Sequence, residues 1–186
     1  MENKKIPRTE RILSVYHLFM HCQEVSCKEI TDLMPSVSSK TIFRDIKLLR
    51  DAGVLRTKYS KKVQAFIPLN VGNIANPVYP EKKRQQIFLK KIRRLCILMN
   101  EMTAGLDGFC DEKPLHMELH KKLFPKVSQR TRQRDFKVLG NIGYSVRRFE
   151  QDFDDENAED GFVWKWVYSF ECPGTYCLNT FTEKGW

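Results

Sequence analysis

The chain has 186 residues, 41% of them hydrophobic, which is enough for one domain or two small ones. Lysine and arginine number 32 against 23 aspartates and glutamates, and the net charge of +9 favours a polyanionic partner, either nucleic acid or an anionic membrane surface. No apolar run approaches the ~20 residues of a membrane span and the first residues hold no hydrophobic signal core, so a cytoplasmic chain without membrane contact is expected.

Residues 1–8 are polar, and a helix is expected from Thr9 to about residues 21–23 with Ile12, Val15, Tyr16 and Phe19 on one face. Ser26 and Glu29 then have the spacing of a capping box, in which Ser26 caps the Glu29 N–H while Glu29 reaches back. The helix they start runs to about Met34, with Ile30 and Leu33 inward, and Pro35 stops it.

The next helix spans residues 37–53. Ser38 suits its N-cap because a hydroxyl can accept from an unpaired backbone N–H. Gly53 suits its end because the left-handed turn there costs glycine no Cβ clash. Ile42, Ile46 and Leu49 make an apolar stripe, while Lys40, Arg44 and Lys47 make a basic face. Two helices, a tight turn and a basic helix are expected to form a helix-turn-helix whose front meets phosphates and base edges. Two strands, 54–59 and 63–67, follow around a Ser60-Lys61-Lys62 turn. With Arg56, Lys58, Lys61 and Lys62 they suit a wing along a phosphate backbone; a solvated hairpin tip is the plainer alternative.

These stretches carry a resemblance. Arg8-Thr9-Glu10-Arg11-Ile12-Leu13, then residues 24–33, then residues 37–55 with Thr41, Arg44, Asp45 and Ile46 resemble the N-terminal winged helix of bacterial DeoR-type and WYL-type transcription regulators. The resemblance covers about residues 8–68 and implies sequence-specific duplex binding by the helix at 37–53. Phe43 departs from the polar or basic residue that such helices often carry. Nothing downstream resembles a DeoR sugar-phosphate domain or a WYL domain.

Residues 70–80, with two prolines, a glycine, three asparagines and no charge, read as a linker. A long helix is expected over 81–102, basic at Lys82, Lys83 and Arg84 and apolar later, then a loop over 103–113. A helix over 115–124 has Leu115, Leu119 and Leu123 along one side and ends before Pro125. Residues 127–143 then repeat 37–53 at a constant spacing of 90: Val37, Ser38, Thr41, Arg44, Asp45, Lys47, Leu49 and Gly53 recur as Val127, Ser128, Thr131, Arg134, Asp135, Lys137, Leu139 and Gly143. An internal duplication is the simplest account. Arg132 stands where the first copy has the core residue Ile42, so either it snorkels or the second helix is slightly rotated.

Strands at 144–149 and 162–170 follow, the latter alternating Phe162, Trp164, Trp166, Tyr168 and Phe170 with smaller or polar residues, as a core strand would; a base-stacking platform is the alternative. The expected loop between them holds Glu150, Asp152, Asp154, Asp155, Glu156, Glu159 and Asp160 and should point off a duplex. All four histidines fall in i, i+4 pairs, His17/His21 and His116/His120, a spacing that can share a metal; without accompanying carboxylates the preferred reading is ordinary surface or half-buried histidines. The six cysteines show no C-x-x-C pattern, and Cys172 with Cys177 reads as a turn rather than a redox pair or half a metal site.

No phosphate loop, nucleophile triad or paired catalytic carboxylates stand out, so no enzyme, cofactor or metal is expected. The expected fold is mostly α with small β wings (α+β): two tandem winged helix-turn-helix units at 1–69 and 81–186, joined by the linker and the long helix. The expected function is sequence-specific double-stranded DNA binding by a transcription regulator through basic helices at 38–51 and 128–142. Ser39, Lys40, Phe43 and Arg44 would face base edges beside Thr41, with Lys47, Lys58, Lys61 and Lys62 on phosphate. In the second unit Gln129, Arg130, Gln133, Arg134 and Lys137 would do the same beside Thr131, since arginine to guanine and glutamine to adenine are favoured pairings. Two other readings are a replication initiator with tandem winged helices and a regulator whose second unit dimerises or binds a protein. A homodimer fits either regulator, and no effector pocket stands out.

Overall fold

The same order of elements occurs twice in the computed structural model, which describes residues 6–104, 108–109, 115–154 and 162–173. The first half has α1 (Arg8–His21), β1 (Val25–Ser26), α2 (Cys27–Leu33), α3 (Ser39–Asp51), β2 (Leu55–Ser60) and β3 (Ala65–Val71). The second has α4 (Lys83–Thr103), β4 (Gly108–Phe109), α5 (Leu115–Leu123), α6 (Gln129–Asn141), β5 (Ser145–Asp154) and β6 (Phe162–Glu171). Each half carries a three-stranded antiparallel sheet, ordered β1-β3-β2 and β4-β6-β5. The architecture is mixed α+β.

Local chemistry sets most element ends. Ser26 and Glu29 complete the capping box: Glu29 N–H donates to Ser26 Oγ at 3.1 Å, and the Glu29 carboxylate accepts from Ser26 N–H at 2.7 Å. Ser38 caps α3 and Ser128 caps α6, each accepting from a threonine N–H three residues on, Thr41 or Thr131. Both helices also end alike. Gly53 N–H bonds to Arg50 O and Val54 N–H to Leu49 O, and Gly143 and Tyr144 repeat the pattern on Gly140 O and Leu139 O. That doubled closure needs a left-handed residue, and Gly53 and Gly143 supply φ values of 68° and 98°.

The buried residues of both halves form one cluster, from Ile12, Tyr16 and Phe19 of α1 through Ile42 and Leu49 of α3 to Ile92, Leu95 and Met99 of α4 and Leu139 and Ile142. Helices α1 and α4 lie against each other, and each touches both α3 and α6. Polar contacts cross between the halves as well. Asn100 Nδ2 donates to Tyr16 Oη at 2.7 Å, and His17 Nδ1 meets Tyr144 Oη at 2.6 Å. Small units that each bury little gain core by sharing it.

Four expectations shift. The hairpins are sheets of three strands, because β1 pairs with β3 and β4, inside the expected 103–113 loop, pairs with β6. Strand β3 runs to Val71, past the start of the expected linker, and the linker is itself tied down: Ile74 and Ala75 N–H bond to Gly53 O and Val78 N–H to Asp51 O. Glu150, Asp152 and Asp154 belong to strand β5, opposite Trp166, Trp164 and Phe162 of β6, rather than to a loop. The remaining acidic positions, Asp155, Glu156, Glu159 and Asp160, lie outside the described residues, as do the side chains of the aromatic strand.

Candidate nucleic-acid interface

Helix α3 separates two surfaces. Ile42, Asp45, Ile46 and Leu49 are buried, while Ser39, Lys40, Phe43, Arg44 and Lys47 are exposed. The back is held by more than apolar packing. Arg11 of α1 grips the Asp45 carboxylate from two nitrogens, Nε at 2.7 Å and Nη2 at 3.2 Å. Helix α6 repeats this: Arg94 of α4 grips Asp135 from Nε at 2.6 Å and Nη2 at 3.1 Å, while Gln129, Arg130, Gln133, Arg134 and Lys137 are exposed. A two-point arginine–carboxylate contact fixes orientation as well as distance. Each basic face is therefore aimed by a charge pair behind it.

The second copy adds a partner. His120 stands 90 positions after Ile30, equally buried, and its Nε2 lies 2.9 Å from Asp135 Oδ2. Burial pushes the Asp135 carboxyl up, but the hydrogen bonds from His120 and Arg94, with their charge, outweigh it and hold it below its usual value. Arg132, in place of Ile42, is half-buried with its Nε covered and no hydrogen-bond partner, so the stem is what packs.

The front faces carry unneutralised charge. Among the described residues the ion pairs use Arg11, Arg94, His120 and Arg147 as cations, so Lys40, Arg44, Lys47, Arg130, Arg134 and Lys137 are in none of them. Arg56, Lys58, Lys61 and Lys62 are exposed on the β2–β3 hairpin. Thr41 and Thr131 are half-buried, and each hydroxyl lies 3.0 Å from its capping serine, so they serve the helix start first. Phe43 is 49% exposed; the rest of it packs edge-on against Phe66, which Tyr59 of the hairpin also touches. An aromatic link thus joins α3 to its hairpin.

Two clefts widen the basic surface around Lys47. One, of about 730 Å³, is lined by Arg8, Arg44, Lys47, Arg84 and Phe88 among others; the second, of about 600 Å³, by Lys47, Arg50, Arg56 and Asn70 among others. Arg8 and Arg84 were not among the expected contact residues. They sit at the starts of α1 and α4, far from α3 in sequence, and no local spacing signals that they converge on it. Arg8 is held in place by the Phe88 ring, 4.5 Å from its guanidinium.

The histidine pairs differ. His120 is committed to Asp135, whereas His17 and His21 lie with Cys172, just past β6, in a group whose ligand atoms are all within 4.8 Å of one another. Among the described residues it is the one such grouping of three. No helix among them is long and apolar enough to cross a membrane. No protein-family model matches the chain, and comparison with characterised proteins and with solved structures returns no match.

Proposed function

We propose that the chain is a sequence-specific, double-stranded DNA-binding transcription regulator built of two tandem winged helix-turn-helix units, with α3 and α6 as recognition helices and β2–β3 as the first wing. One observation carries this: the capped helix with a charge-pinned back and an exposed cationic front occurs twice. Such a helix can enter a major groove without unfolding its support, with arginine and glutamine at base edges and lysine on phosphate. One cleft beside Lys47 extends the surface toward Arg8 and Arg84, which with Arg44 and Lys47 make four arginines and lysines against the one carboxylate of Asp51, as a phosphate track would.

A second reading has one observation behind it. Where the first hairpin carries Lys58, Lys61 and Lys62, β5 carries Glu150, Asp152 and Asp154. In that reading the second half docks a protein or a second copy of the chain, and only α3 touches DNA.

Selection of bound duplexes from a random library, followed by affinity measurements on Arg44→Ala and Arg134→Ala, tests both. With two readers, each variant loses about 1–3 kcal/mol of specific binding and relaxes a different part of the motif. If only Arg44→Ala matters, the second reading holds. If the chain selects no sequence at low ionic strength, both fail.

A further inference from the structure

We infer that His17, His21 and Cys172 form a binding site for a zinc-type divalent ion, which would clamp the first helix to the end of the second sheet. Along the sequence the two parts are separate, a histidine pair one helical turn apart and a cysteine 151 positions beyond His21, and neither reads as a metal site by itself. The fold brings them together. The His17 and His21 rings lie one turn apart on α1, tilted by 47° with centroids 4.4 Å apart, and Cys172 Sγ lies 3.8 Å from His21 Nε2.

The distances suit tetrahedral coordination. With Zn–S near 2.3 Å and Zn–N near 2.05 Å, tetrahedral ligands stand about 3.6 Å apart for sulfur and nitrogen and about 3.4 Å for two nitrogens. The sulfur–nitrogen edge is nearly at that spacing, and the 4.8 Å limit on the group leaves only a side-chain adjustment to close it. His17 Nδ1 lies 2.6 Å from Tyr144 Oη, the kind of outer contact that orientates a metal-bound imidazole when Nε2 is the ligand. Tyr144 and His17 are buried, so that ring is orientated before any ion arrives. His21, at the exposed end of the group, supplies the entrance.

Two imidazoles and one thiolate select a borderline-soft ion over magnesium or calcium, and three protein ligands leave a fourth position for water. Binding converts the Cys172 thiol to a thiolate and releases its proton to solvent. Because the ligands come from both halves, occupancy would stabilise their shared packing.

The test is titration of the reduced full-length chain with Co²⁺, read by absorption, and then with Zn²⁺ in competition. One equivalent of Co²⁺ should give tetrahedral ligand-field bands and a thiolate-to-cobalt charge-transfer band, displaced by Zn²⁺. Cys172→Ser should abolish the charge-transfer band. His21→Ala, an exposed change that leaves the core intact, should weaken Co²⁺ binding by about tenfold or more, the loss that even an outer partner causes. Zn²⁺ should raise the Tm of the unaltered chain with the logarithm of its concentration and leave that of Cys172→Ser unmoved. A charge-transfer band that survives in Cys172→Ser, or binding that His21→Ala does not weaken, overturns the site; so does an unaltered chain that takes up no Co²⁺.

Discussion

Arg94 reaches across 41 positions of sequence to hold both carboxylate oxygens of Asp135, at 2.6 and 3.1 Å. The pair repeats the one between Arg11 and Asp45, and in both halves it lies behind the surface that faces solvent. The acids are almost fully buried, their side chains 3% and 2% exposed. Removing the arginine from such a pair leaves a buried charge unpaired, whereas replacing both partners with apolar residues need cost nothing.

Asp135 keeps His120 as a second partner, so the clean case is the other pair: Arg11→Met should destabilise the chain by about 3 kcal/mol, while the double variant Arg11→Met/Asp45→Leu recovers much of that loss. A denaturant-melt double-mutant cycle checks it. Additive losses would mean that the two side chains do not act as a pair.

Stability should also fall in acid. The Asp135 pKa is lower folded than unfolded, so its contribution is fully present above the unfolded carboxylate value of about 3.9 and is lost as pH falls through the lowered folded value. Asp135→Asn should be less stable at neutral pH, and its stability should vary less with pH below about 4 than that of the unaltered chain. Urea midpoints across that range measure the difference.

The glycines give opposite expectations. Gly53 has φ 68°, and a Cβ there would stand 2.3 Å from Ala75 O, so Gly53→Ala should cost well over the ~1 kcal/mol of left-handed strain alone. Gly140 lies exposed inside α6 with nothing within 4 Å of an added Cβ, so Gly140→Ala should gain about 0.5–1 kcal/mol. Thermal melts of the two variants decide both.

Arg93 ties the halves together at the end of α3, donating to Ala52 O and Ala75 O and to the Asn73 side chain. Arg93→Ala should lower stability by about 2 kcal/mol, since bonds from a charged donor are the stronger kind. The urea midpoint should move at constant slope.

If the β2–β3 hairpin lies along a phosphate backbone, replacing Lys58, Lys61 and Lys62 with alanine should reduce the log–log salt dependence of binding by about 0.9 for each phosphate that is no longer neutralised. The preferred sequence should stay the same, because phosphate contacts position and do not specify. Changing the carboxylates at 150–160 to amides should leave that sequence unchanged too. A shift in preference in either case would mean that these residues reach the bases or the partner directly.

What the amino-acid order determined by itself was local. Ser38 and Ser128 cap their helices, Gly53 and Gly143 close them, and the stripe of Ile42, Ile46 and Leu49 turns inward, because caps and helical faces depend on residues within a turn or two. The repeat was legible for the same reason, as was the exposure of Arg44 and Arg134. A trace of the rest was present too, since a charged residue, Asp45 or Asp135, recurs beside the apolar stripe in both copies; yet nothing nearby names its partner. Only the tertiary structure decided that Arg11 and Arg94 pin those acids, that β1 and β4 complete the sheets, that Arg8 and Arg84 converge on α3, and that Cys172 meets His17 and His21. Each of these joins elements far apart in the chain, and such contacts depend on how helices pack around a common core rather than on any spacing along the sequence.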